Sequence, residues 1–123
     1  MGRGAGSRVL SRIYKILARS EWTAAQAAGV YEGSAVDRAD AFIHFSTASQ
    51  ARETARRHFA GQADLVIAAF DADDLGPSIR WEPSRGGELF PHLYGTLPTR
   101  LALAVTEAPL GPDGTPQLGE LAP

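Results

Sequence analysis

The chain has 123 residues, 44% of them apolar and 21% charged, with a formal net charge of -2 and no cysteine. That length suits one domain with a core of its own, and the composition is that of an ordinary globular protein. Disulfides, thiolate metal sites and cysteine nucleophiles are excluded, and the charge gives no broad attraction to DNA, RNA or a membrane surface.

Met1 to Ser7 is Gly-rich and lacks the apolar centre of a signal peptide, so residues 1–7 are expected to be a disordered leader. No apolar run is long enough to form a membrane-spanning helix, and the expected location is the cytoplasm. Arg8 to Leu17 predicts a first strand centred on Ile13-Tyr14-Lys15-Ile16. Lys15 then lies opposite Tyr14 and Ile16 and is expected as a solvated edge residue. Ser20-Glu21-Trp22 starts a helix that ends at Gly29, a suitable left-handed cap, with Trp22, Ala25 and Ala28 facing the sheet. The polar stretch Val30 to Asp40 predicts a turn or bulged extended segment.

Phe42-Ile43-His44-Phe45-Ser46-Thr47 follows as a short strand in which Phe42, His44 and Ser46 share one face. Thr47-Ala48-Ser49-Gln50 matches a capping box, and the helix after it buries Ala48, Ala51, Ala55 and Phe59, leaving Arg52, Glu53, Arg56 and Arg57 wet. Leu65 to Phe70 is apolar on both faces and predicts a central strand. Asp71 to Gly76 is a turn or a single helical turn. Ile79-Arg80-Trp81-Glu82 is a strand ended by Pro83, and Ser84 to Glu88 is a loop. Phe90-Pro91-His92-Leu93-Tyr94-Gly95 again places a histidine and a hydroxyl on one face, and Leu101 to Val105 predicts the last strand. Residues 108–123 are rich in Pro and Gly and are expected to be extended and weakly ordered. Helices early and strands late favour α+β, a single compact domain over residues 8–107 with a mixed or antiparallel sheet and two helices.

Three assignments compete for His44 and His92. A metal site would have to be built from His44, His92 and Glu82, which is a thin set without HExxH or His-x-His spacing. Two partly buried structural histidines would need only backbone or hydroxyl partners. A small-molecule cleft would use His44, Ser46, His92 and Tyr94 as oriented donors and acceptors, with Arg80 or Arg85 for an anionic group. Ser46 lies in no G-x-S-x-G elbow and points alongside His44 rather than toward it, which argues against a hydrolase triad. No glycine-rich phosphate loop has its strand-turn-helix context.

Taken in order, Ile13-Tyr14-Lys15-Ile16, Trp22, Phe42 to Thr47 with Gln50, His58-Phe59, Asp64-Leu65-Val66, Arg80-Trp81-Glu82 and Phe90 to Gly95 resemble the small bacterial proteins of domain of unknown function 952, over about residues 12–107. The resemblance implies a compact cytoplasmic domain without an assigned activity. Some members carry a glutathione S-transferase label, which neither the short chain nor its opening elements support. At fold level the family is similar to ADP-ribosyltransferases and the related RNA 2'-phosphotransferases, which implies a split sheet that binds NAD or ADP-ribose. On that analogy His44, His92 and Glu82 are the candidate catalytic residues. Ser46, Tyr94, Arg80, Arg85 and Gln50 are then candidate ligand contacts. The alternative is a non-catalytic domain that binds a small molecule or peptide in the same cleft.

Overall fold

The computed structural model describes residues 11–123; the expected leader and the start of the first predicted strand lie outside the described residues. In chain order the elements are β1 (Arg12–Ala18), α1 (Arg19–Ala28), β2 (Val30–Tyr31), α2 (Ala35–Asp40), β3 (Ile43–His44), α3 (Ala48–His58), β4 (Leu65–Asp71), α4 (Ala72–Leu75), β5 (Ile79–Pro83), β6 (Leu89–Leu93), β7 (Leu97–Pro98) and β8 (Ala104–Ala108). The fold is α+β with antiparallel sheets. One three-stranded sheet runs β1-β4-β8, a second runs β3-β6-β5, and β2 pairs with β7.

Among the described residues the two larger sheets are bridged at Tyr14 and Ser46. Tyr14 of β1 and Ser46, just past β3, exchange backbone hydrogen bonds of 2.7 and 2.9 Å, while the Phe45 amide reaches the Pro91 carbonyl of β6 at 3.0 Å. A hollow lined by residues of both strands lies between β1 and β3.

β4 is buried along its whole length, as its two-sided apolar run predicts, because helices pack on both faces of its sheet. On one side Trp22 of α1 packs edge-on to Phe70 at 6.3 Å between ring centroids, and Phe45 does the same at 5.9 Å. On the other, Ala51 and Ala55 of α3 are fully buried in a cluster with Tyr14, Ile16 and Ile67. Small residues at those two positions let α3 lie close to the sheet. After β8 the chain returns over this side, burying Leu118 in the same cluster, and Arg52 donates to the Gly119 carbonyl at 2.6 Å.

Several expectations are corrected. Val30 to Asp40 contains a two-residue strand and a helix rather than a turn, and with the single helical turn Ala72–Leu75 this makes four α-helices rather than two among the described residues. α2 is set by Ser34, which caps it and accepts from the Asp37 amide at 3.2 Å, while Asp37 reaches back to the Ser34 amide at 2.9 Å. Its six residues are too few to display an apolar stripe. Lys15 is not a solvated edge residue but is buried with a partner on α2. Ala28 is exposed, so only Trp22 and Ala25 anchor α1. The last strand starts at Ala104, because Thr99–Leu101 forms a 3-10 turn first.

Two glycines separate backbone strain from crowding. Gly29 caps α1 at φ +87° with open space around it, so Gly29→Ala should cost only the left-handed penalty, about 1–2 kcal/mol. A Cβ on Gly33, at φ +104°, would sit 2.8 Å from the Asp37 Cβ. Gly33→Ala should therefore lower the urea midpoint more than Gly29→Ala, and equal losses would show that Asp37 is not held in place.

Candidate functional site

Register brings the two histidines together. His44 of β3 and His92 of β6 are direct cross-strand partners, with ring centroids 5.6 Å apart and planes near perpendicular. Phe42 fixes both rings: it stacks on His92 at 4.0 Å and leans on His44 at 4.6 Å. The turn that delivers Phe42 is made by Ala41, which ends α2 in the left-handed region at φ 71°.

Each histidine has its own carboxylate. Asp37 of α2 faces His44 Nδ1 at 2.6 Å and accepts from the His44 backbone amide at 3.1 Å. The same carboxylate takes Lys15 Nζ on both oxygens at 3.0 and 2.9 Å and the Ser34 amide at 2.9 Å. Burial opposes its ionisation, but His44, Lys15 and Ser34 outweigh that, and Asp37 titrates well below the usual carboxylate range. Burial also pushes the Lys15 amine below its ordinary value, with Asp37 pulling the other way. His44 Nε2 faces Asp40 at 2.9 Å, so only a ring with protons on both nitrogens donates to both carboxylates.

His92 differs. Its Nδ1 is 2.7 Å from Glu82 Oε1, which also accepts from the Tyr94 hydroxyl at 2.8 Å. The hydrogen bonds from His92 and Tyr94 hold Glu82 below the usual carboxylate range, and the same hydrogen bond to Glu82 pushes the Tyr94 hydroxyl up. A carboxylate accepts only, so Nδ1 carries the proton. Nε2 is then left with its lone pair and has no hydrogen-bond partner among the described residues.

A cavity of about 600 Å³ lies between β1 and β3, within the range of small-ligand sites. Lys15, Asp37, His44, Ser46, Thr54, Arg85 and His92 are on its wall. Ser46 Oγ is 2.9 Å from Thr54 Oγ1, which accepts from Arg85 Nη2 at 3.3 Å. Arg85 lies over the Phe90 ring at 4.8 Å and has no carboxylate partner among the described residues.

Of the residues expected from sequence, His44, Ser46, Arg85 and His92 line one cavity. Glu82 and Tyr94 sit behind His92 and are off the cavity wall, and Arg80 is turned onto the Tyr94 ring at 4.8 Å. Gln50 accepts from the Thr47 amide at 3.0 Å as the capping box predicts, and donates to Glu88 and to the Leu89 carbonyl, tying α3 to β6. Lys15, Asp37 and Thr54 are on the same cavity wall and are not among the residues expected from sequence. For Asp37 the signal was Ser34-Ala35-Val36-Asp37, a capping box like that of Thr47. Among the described residues no group of three or more His, Asp or Glu has the geometry to hold a metal ion, and no helix is long and apolar enough to cross a membrane.

These features define a small α+β domain with a paired-histidine cleft. The chain belongs to the family described as protein of unknown function DUF952, whose model matches residues 16–105. It is similar to the crystal structure of protein CC0527 from Caulobacter crescentus, at 54% identity and a TM-score of 0.85, covering 88% of this chain and 95% of that one. The solution structure of CC0527 matches at 53% identity and a TM-score of 0.80, over 89% and 95% of the two chains. No curated protein matches.

Asp37 supplies a pH dependence. Its folded value is depressed, so its contribution to stability is fully present above its unfolded value of about 4 and is lost as pH falls toward the folded value. The wild-type urea midpoint should drop between pH 7 and pH 3 by more than that of Asp37→Asn. At pH 7 Asp37→Ala, which leaves Lys15 buried and unpaired, should cost about 3–5 kcal/mol. A loss under about 1 kcal/mol would contradict this account.

Proposed function

We propose that the chain binds a small phosphate-bearing molecule in the His44/His92 cleft, a nucleotide such as NAD or ADP-ribose, with Arg85 pairing the phosphate. The observation that carries this is the Arg85 guanidinium: stacked on Phe90, unpaired by any described carboxylate, and on the wall of the same cavity as the two facing imidazoles. A stacked guanidinium keeps a planar fork of N–H donors in place, the geometry that phosphate oxygens accept from two at a time. The cavity is large enough for part or all of such a ligand. His44, His92 and the Ser46 hydroxyl are at hand for ribose or base.

Binding is better supported than transfer. Glycosidic cleavage of NAD needs a carboxylate aimed at the ribose, where charge develops. Glu82 instead spends Oε1 on His92 and Tyr94 and stands off the cavity wall. Its role in this proposal is to orient His92.

Titration with NAD and with ADP-ribose, followed on the histidine side-chain resonances, tests the proposal. Saturable shifts of His44 and His92 are expected. Arg85→Ala should weaken binding by at least about tenfold, the effect of losing a charge-assisted hydrogen bond. Unchanged His44 and His92 signals at millimolar ligand would remove the nucleotide proposal.

A further inference from the structure

The cavity wall carries an acceptor without a partner among the described residues and a serine hydroxyl with a single partner. His92 is buried, only 5% exposed, and its Nε2 lone pair has no partner among the described residues while Glu82 holds Nδ1 at 2.7 Å. Ser46 is also only 5% exposed. Arg85 can only donate, so Thr54 Oγ1 accepts from it at 3.3 Å and is free to pass its own hydroxyl proton to Ser46 at 2.9 Å. When Thr54 is the donor in that bond, the Ser46 hydroxyl proton is left for the cavity.

The ladder places these two groups near each other. His44 is opposite His92 and Phe45 is bonded to Pro91, and that register carried on past the end of β3 sets Ser46 on the same face as His92 and diagonal to it, with both on the cavity wall. Diagonal Cβ atoms in an antiparallel pair are about 7–8 Å apart or less, a gap an imidazole can span. Ser46 cannot use His44, which points alongside it on the same strand. His92 comes from the facing strand.

We infer that Ser46, His92 and Glu82 form a serine nucleophile, its general base and the carboxylate that orients the base, and that the site takes small carboxylic esters. Such a constellation is defined by geometry and roles and recurs outside the usual elbow motif. His92 Nε2 accepts the Ser46 proton as Oγ attacks the acyl carbon and the C–Oγ bond forms. The imidazolium then gives that proton to the departing alkoxide as the C–O ester bond breaks. Water attacks the acyl-serine, His92 takes the water proton, and Ser46 leaves with it, so that ester and water become acid and alcohol. The Arg85 N–H groups not bonded to Thr54 are on the same wall and can donate to the oxyanion. Ser46 Oγ sits on Thr54 rather than on His92, and contacts of this type are commonly looser before a substrate closes them.

A fluorophosphonate probe tests this on the full chain, with the labelled peptide located by mass spectrometry. Wild type should label at Ser46, at a rate that rises with pH. Ser46→Ala should not label. His92→Gln should label at least about a hundredfold more slowly, with a flat pH profile, as expected when a general base is lost. Glu82→Gln should also slow labelling, while thermal melts of all three variants stay cooperative. Absence of labelling in wild type, label elsewhere than Ser46, or equal rates in wild type and His92→Gln would each overturn the proposal. A chain that labels at Ser46 without shifting on ADP-ribose keeps this proposal and loses the preceding one, and the converse result does the reverse.

Discussion

The cleft depends on one buried carboxylate. Asp37 gathers Lys15 from β1, the Ser34 amide at the start of its own helix, and both the backbone and the ring of His44 from β3. Three elements that share no sheet or helix are thereby fixed to one side chain. An ion pair at this depth is poor evidence of net stability, since two charges lose their water when it forms. Its consequence is geometric: α2, six residues long and without an apolar stripe, has little else to dock it over the hollow between the sheets.

The second carboxylate sets up an asymmetry between the two imidazoles. His44 lies between Asp37 and Asp40 and has both nitrogens engaged, whereas His92 is held by Glu82 on one side only. The two rings are cross-strand neighbours of the same residue type, yet one is occupied as a donor and the other keeps an open lone pair in a cavity. Phe42, stacked on His92, restrains the ring without offering it a hydrogen bond. A buried imidazole with one committed and one open nitrogen is the arrangement from which proton acceptors are built. It also has a plain structural use as an oriented ligand contact.

Much of this was legible from sequence where local rules decide the outcome. Alternation along Phe42 to Thr47 and Phe90 to Gly95 put the histidines on comparable faces. The Thr47–Gln50 box and the two-sided apolar run of β4 reported α3 and the central strand. Lys15 was not legible, because a lysine between apolar neighbours reads as an edge position unless its acid is known, and that acid lies on a helix too short to show periodicity. Glu82 was found but its place was not: a residue on the right strand face can stand behind a histidine as easily as beside a ligand. Arg80 and Arg85 look alike in the chain, yet strand pairing directs the first to Tyr94 while the loop carries the second to Phe90.

The most direct measurement is of the imidazole tautomers, by long-range proton–nitrogen correlation spectra of the histidine rings near neutral pH. The His92 proton is expected on Nδ1, facing Glu82, with Nε2 bare, and the His44 Nδ1 proton is expected to respond when Asp37 is changed to Asn. A proton found on His92 Nε2 with Nδ1 bare would mean that Glu82 does not orient the ring, and the open acceptor in the cleft would not exist.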